Sequence, residues 1–280
     1  MVRRRADATE DVARKIARRL GDMPGVIAVA IGGSAARGSA DGCSDVDLYV
    51  YAPEPPPLDL RADLARTYDP APEIDNRAFG PGDEWGDEAT GLAVDVIYWS
   101  PAWIEEQLAR VLDQHAPSVG YSTCFWRTVR SSVPLIDPTG WFAALQASAD
   151  RPYPEPLRQA IIATNRPLLR QARSSFLHQI ECAVERNDPV SVHHRTTELL
   201  ASFFDVLFAL NRVPHPGETR LLTIARAECP LLPPDLAPLV GNLIAATVPP
   251  WDDGRLAASA HALIDSLEDL LAASARSEHS

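Results

Sequence analysis

Apolar positions in the first half of the chain recur with two different periods. Over residues 6–20, Val12, Ile16 and Leu20 fall at helical spacing, which predicts an amphipathic helix ended by Gly21 and the Pro24-Gly25 turn. Val26–Ile31 is almost continuously apolar, as expected of a buried strand. Leu48–Tyr51 and Leu92–Trp99 are further strand-like runs, the second interrupted by a single charge, Asp95. Ile74–Phe79 predicts one more strand, and Gly80–Glu88 an acidic loop carrying Trp85. Helices are predicted over 58–67, 101–113, 117–132 and 141–149, the second opened by Pro101, where proline is tolerated. Val133–Asp137 reads as an edge element, because Pro134 cannot donate to a central ladder.

Past residue 150 the period changes. Asp150–Pro156 holds three prolines in seven residues and predicts a boundary. Beyond it the spacing is helical throughout, near 156–172, 174–187, 190–212, 219–228, 235–247 and 253–275. The apolar face of the third, from Leu199 to Leu210, reads as bundle core. The expected fold is therefore α/β in the α+β sense: a small mixed-sheet domain over 1–150, then an all-helical domain over 151–280.

Composition narrows the function. The four cysteines, Cys43, Cys124, Cys182 and Cys229, are scattered, which indicates neither a zinc site nor a disulfide framework and suits a reducing cytoplasm. No apolar run reaches the roughly 18–20 residues of a membrane span, and no apolar segment follows the basic Arg3-Arg4-Arg5 as a signal peptide requires. A net charge of −12 argues against a nucleic-acid partner, whose phosphates need a basic footprint, and suits a cationic small molecule. Lys15 is the only lysine among 26 basic residues, so phosphate contacts fall almost wholly to arginine.

One stretch carries chemistry. Gly32-Gly33-Ser34-Ala35-Ala36-Arg37-Gly38 is followed by Cys43-Ser44-Asp45-Val46-Asp47-Leu48. In a strand, alternate residues share a face, so Asp45 and Asp47 project together while Val46 and Leu48 turn to the core. Neighbouring carboxylates repel unless a cation lies between them, and such a hard-oxygen pair favours Mg²⁺. Backbone N–H groups of a Gly/Ser turn can cradle phosphate, with the Ser34 hydroxyl as a further donor. Ser44 either caps the second strand or contacts phosphate. If the strand bearing Asp95 pairs beside the Asp-x-Asp strand, three carboxylates face one site. An acid of the 83–88 loop, Glu84, Asp87 or Glu88, is an alternative general base. A P-loop and a dinucleotide fingerprint are absent, and an EF-hand is rejected for want of its glycine and glutamate. The adjacent His193 and His194 are weak evidence for a metal site, since only one of an adjacent pair can face a given groove.

The string Gly-Gly-Ser-Ala-Ala-Arg-Gly with Ser-Asp-Val-Asp-Leu and a later lone acid resembles the nucleotidyltransferase superfamily of the DNA polymerase β type. It is similar to the small-molecule branch that includes the aminoglycoside and lincosamide nucleotidyltransferases. The resemblance covers roughly residues 20–115. It implies ATP or another NTP as donor, with Mg²⁺ held by Asp45, Asp47 and Asp95, the last as third ligand or as general base. It also implies triphosphate contacts from Gly33, Ser34 and Arg37. The acceptor it implies is a hydroxyl on a small, cationic, aminoglycoside-like molecule, and hence a role in antibiotic resistance. The helical domain would bind that substrate or dimerise. Two other readings are AMP transfer to a partner protein, as in antitoxin-like members, and a non-catalytic nucleotide sensor.

Overall fold

The computed structural model describes residues 2–33, 45–78, 80–251 and 254–277. It divides into two compact units. One comprises residues 1–109 and 125–151, and the other residues 110–124 and 152–280.

In the first unit, helix α1 (Val2–Gly21) precedes strands β1 (Ala28–Ile31) and β2 (Val46–Tyr51). Helix α2 (Leu58–Ala65), strands β3 (Glu73–Asn76), β4 (Gly82–Asp87) and β5 (Leu92–Trp99), and helix α3 (Pro101–Leu112) follow. Helix α4 (Cys124–Ser131), strand β6 (Val133–Ile136) and helix α5 (Trp141–Ala149) complete it. The six strands form one mixed sheet in the order β3-β4-β5-β2-β1-β6. Only β2 and β5 run parallel; the other neighbours are antiparallel. The proline-bearing β6 lies at an edge, as predicted.

One face of the sheet is covered. Val12, Ala13, Ile16, Ala17 and Leu20 of α1 and Leu64 and Ala65 of α2 pack on Val46, Leu48, Val50, Val94 and Val96. Each of these seven helix residues is nearly or fully buried, so this burial is the main force holding the unit together. On the opposite face an aromatic cluster fills the end of the sheet where β2 and β5 finish. Tyr49 stacks on Trp99 at 4.5 Å, Trp99 meets Trp103 and Phe125, and Tyr51 meets Trp141 and Phe142.

The segment read from sequence as an acidic loop, 80–88, is instead strand β4, and this corrects the prediction. Its side chains alternate: Asp83, Trp85 and Asp87 are buried, Glu84 and Gly86 exposed. The inward acid is tolerated because it is paired. Arg61 reaches the Asp83 carboxylate at 3.0 Å, the Tyr98 hydroxyl donates to it at 2.6 Å, and the Asp75 N–H donates at 2.9 Å. A buried charge left without such partners would cost several kcal/mol. The Thr90 hydroxyl donates to Asp87, and Gly91, at φ +71°, closes the turn into β5.

The second unit holds helices α6 (Glu155–Arg170), α7 (Phe176–Glu185), α8 (Pro189–Leu210), α9 (Leu221–Glu228), α10 (Leu236–Ala246) and α11 (Arg255–Ser277). Every residue of α8 from Ala201 to Leu210 is buried, so its last turns are enclosed all round, as in a central helix, and all but Ser202 and Asp205 are apolar. The predicted helix over 117–132 begins only at Cys124. The preceding segment is irregular because buried side chains of the helical unit satisfy its backbone. The Gly120 N–H donates to Asn165 Oδ1 at 2.9 Å and the Ser122 N–H to Asp205 Oδ1 at 3.0 Å. The Ser122 hydroxyl donates to Asp205 Oδ2 at 2.6 Å, and Asn165 Nδ2 donates to the same oxygen at 3.1 Å. Gly120 has φ +72°, and a Cβ there would lie 3.0 Å from the Ala201 Cβ.

Candidate active site

The parallel pairing of β2 with β5 places Asp47 directly opposite Asp95, with Val46 opposite Val94 and Leu48 opposite Val96. The apolar pairs turn to the core and the acids to the other face. Asp95 is also the partner of Glu84 across the β4–β5 ladder, and Glu84 of Glu73 across β3–β4. Four acids, Glu73, Glu84, Asp95 and Asp47, therefore form a row across four neighbouring strands. Directly opposed side chains have Cβ atoms about 4.5–5.5 Å apart, and like charges so placed destabilise the sheet. Asp45 joins the row's face one pleat before Asp47.

The strain of this arrangement registers on Asp95. Half-burial pushes its carboxyl up to about 6, and the charges of Asp47, Glu84 and Asp45 push in the same direction. Glu84 is steadied by Asn76, whose Nδ2 donates to Oε1 at 3.1 Å. Asp69 is fixed by the N–H groups of Gly86 (2.9 Å) and Ala71 (2.8 Å), which hold its carboxyl below the usual range. A groove of about 720 Å³ opens beside Glu73, Glu84 and Asp95 of the row. Its acidic lining residues are Asp45, Asp69, Glu73, Glu84, Asp87, Glu88 and Asp95, and among the described residues no basic side chain lines it.

The glycine pair that closes β1 has a steric reason. Gly32 donates its N–H to the Asp47 carbonyl at 2.9 Å, and a Cβ on it would lie 2.2 Å from the Tyr49 ring. Gly33 has φ +59°, and a Cβ there would lie 1.8 Å from Asp47 Oδ2. The Asp47 carboxylate occupies the space that any larger residue would need.

Gly33, Asp45, Asp47 and Asp95 are thus brought to one end of β1, β2 and β5. Ser34, Arg37 and Ser44 lie outside the described residues. Glu84, which the sequence offered as one of three loop acids, gains a defined place beside Asp95, whereas Asp87 is buried and bonded to Thr90. Glu73 and Asp69 were not singled out from sequence, because neither sits in a recognisable motif and only strand register brings Glu73 to the row.

Among the described residues, no three metal-ligating side chains converge on one point. The chemistry of the donor set nonetheless fits a hard divalent cation. Asp45, Asp47 and Asp95 offer only carboxylate oxygens, and their mutual repulsion is what such an ion relieves.

Residues 13–115 match the family described as "Nucleotidyltransferase domain". No curated protein matches the chain in sequence. Solved structures similar to it include a nucleotidyltransferase-like protein from Exiguobacterium sibiricum. That match has 14% identity and a TM-score of 0.40, and covers 96% of this chain and 74% of that one. Another is a STING-associated CdnE c-di-GMP synthase from Capnocytophaga granulosa, at 12% identity and a TM-score of 0.31, covering 95% of this chain and 80% of that one. A third is the spectinomycin adenyltransferase AAD(9) from Enterococcus faecialis with ATP and spectinomycin. It has 12% identity and a TM-score of 0.30, and covers 93% of this chain and 98% of that one. The family match coincides with the strands that carry Gly33, Asp45, Asp47, Glu84 and Asp95. The segment 13–115 is thus the part of the chain that the nucleotidyltransferase domain family describes.

Proposed function

We propose that the protein transfers a nucleoside monophosphate, AMP in the first instance, from its triphosphate to a hydroxyl of a small cationic molecule and releases pyrophosphate. The observation that carries the acceptor side is the groove beside the acidic row, with seven carboxylates and, among the described residues, no basic side chain. A field of one sign in a concave site concentrates ligands of the opposite sign. An aminoglycoside-like antibiotic, with several ammonium groups and many hydroxyls, has the matching chemistry, and inactivating it would confer resistance.

Asp45, Asp47 and Asp95 are the residues that would hold Mg²⁺. Such an ion supplies positive charge against the phosphate oxygens of an in-line displacement. Gly33 lets the chain turn without displacing the Asp47 carboxylate, and with Ser34, Arg37 and Ser44 it belongs to the stretch proposed to contact the triphosphate. The acceptor hydroxyl gives its proton to a carboxylate of the row. Asp95, whose carboxyl is raised to about 6, and its ladder neighbour Glu84 are the candidates for that role. The rest of catalysis is positioning, since phosphoryl chemistry demands little covalent help from the protein.

The test is incubation with labelled ATP, Mg²⁺ and a panel of hydroxylated aminocyclitol and aminoglycoside antibiotics. Pyrophosphate release and a labelled antibiotic are expected with at least one member. Absence of both across the panel removes the antibiotic from the proposal. Absence of pyrophosphate release with any hydroxylated acceptor removes the small-molecule reading altogether.

A further inference from the structure

In a chain of net charge −12, the helical unit contains a concavity of the opposite character. A cavity of about 490 Å³ lies between the loop after α6, helix α7 and the start of α8, and Arg173, His178, Arg186 and Arg195 line it. The size lies within the range of small-molecule sites. Its one acidic lining residue, Asp188, is already engaged, since it accepts the Ser191 N–H at 3.1 Å and the Ser191 hydroxyl at 2.6 Å as the N-cap of α8. Those bonds hold its carboxyl below the usual range. Arg195 is partly neutralised by Glu198 at 2.5 Å, and Glu181 stands 4.0 Å from His178. Arg173 and Arg186 make no ion pair among the described residues.

Arg173 and Arg186 thus add positive charge to one concavity without a direct ion pair, and Arg186 is near enough to Asp188 to help lower its carboxyl. Guanidinium forks match tetrahedral oxyanions and bind them bidentately. We infer that this cavity is a second, separate binding site, for a phosphate-bearing small molecule, held chiefly by Arg173 and Arg186. The three arginines come from three places, a loop, the C-cap of α7 and the body of α8, so the site exists only when these elements are packed together. It uses none of the residues of the acidic row.

Cys182 lines the same cavity, with its Sγ 3.7 Å from His178 Nε2, and gives a local readout. The full chain is treated with N-ethylmaleimide in excess chelator, with and without inorganic pyrophosphate, and Cys182 alkylation is followed by peptide mass spectrometry. Protection should reach about tenfold once pyrophosphate is about ten times its Kd. Potassium chloride at matched ionic strength should give none. Arg173→Ala with Arg186→Ala should move the protection curve at least about tenfold to higher concentration. Arg173→Lys with Arg186→Lys, which keeps the charge but loses the fork, should fall between. Both arginines are exposed, so the fold should survive, and the lysine pair serves if the alanine pair does not fold. Equal protection by chloride, no protection by pyrophosphate, or protection unchanged in both double variants would each overturn the inference.

Discussion

The two units each contain a carboxyl raised to about 6 by burial, and the two are raised in different company. Asp95 in the sheet faces Asp47, Glu84 and Asp45, whose charges add to the shift. Asp205 on α8 is almost fully buried but accepts bonds from the Ser122 N–H, the Ser122 hydroxyl and Asn165, and its Ser122 bonds oppose the shift. The same displacement thus marks two opposite situations. Around Asp205 the donors are supplied by the chain, and the group is a structural node that ties an irregular segment to the bundle. Around Asp95 the described neighbours supply more negative charge, and none of them offsets it. A perturbed carboxyl points to function when its neighbours worsen the perturbation.

The largest effect should come from breaking the sheet-side group. Asp45→Asn with Asp47→Asn should cost at least about 100-fold in nucleotidyl transfer, the scale of losing key electrostatic stabilisation. The variant's melting temperature should be unchanged or raised, because two repelling charges are gone. A lowered melting temperature in proportion to the lost activity would mean that the row is structural. The converse variant, Asp205→Ala, leaves three donors facing a cavity. At about 1–3 kcal/mol for each unmet buried group, chemical denaturation should read a loss of about 3 kcal/mol or more. A loss below about 1 kcal/mol would show that Asp205 is no node. Gly33→Ala comes next. Its left-handed backbone alone costs about 1–2 kcal/mol with a Cβ. Its Cβ also collides with Asp47, so transfer should fall by more than that destabilisation explains.

The legible parts of the molecule were those where one local period decided the outcome. The β2 and β5 runs are strand-like with a charge flanked by apolar residues in each, so Asp47 and Asp95 leave the core while Val46, Leu48, Val94 and Val96 are buried. The apolar run on α8 was plain core for the same reason. Strand β4 was not legible as such, since Gly82–Asp87 has one apolar residue in six and its inward acid depends on Arg61, twenty-two residues earlier. The segment before Cys124 reads as helix until Asn165 and Asp205 claim its backbone. The arginine cavity could not be read either, because its residues share no local pattern and meet only through the packing of α7 on α8. That Gly33, Asp45, Asp47 and Asp95 lie near one another was legible in the motif, whereas the places of Glu73, Asp69 and Glu84 were not, since strand register and turn contacts determine them.

The smallest predicted effect separates the two carboxyls most directly. A carboxyl at about 6 in the folded chain and about 3.9 unfolded binds its proton more tightly when folded. Below about pH 4 both states are protonated. Between about pH 4 and 6 the unfolded state deprotonates first, so stability falls as pH rises, and above about 6 the loss is complete. Asp95→Asn should therefore melt higher than the parent at pH 7, with the difference vanishing toward pH 4. Asp95 is only half-buried, so the gain should stay below about 1 kcal/mol. Added Mg²⁺ should shrink this difference, because a cation at the row does for the parent what the substitution does for the variant. The Asp205 contribution, with its donors built in, should not respond to Mg²⁺, so the pH slope that remains in Asp95→Asn should be the same with the metal and without it. If Mg²⁺ leaves the Asp95 difference untouched while changing that remaining slope, the two carboxyls have been assigned the wrong way round.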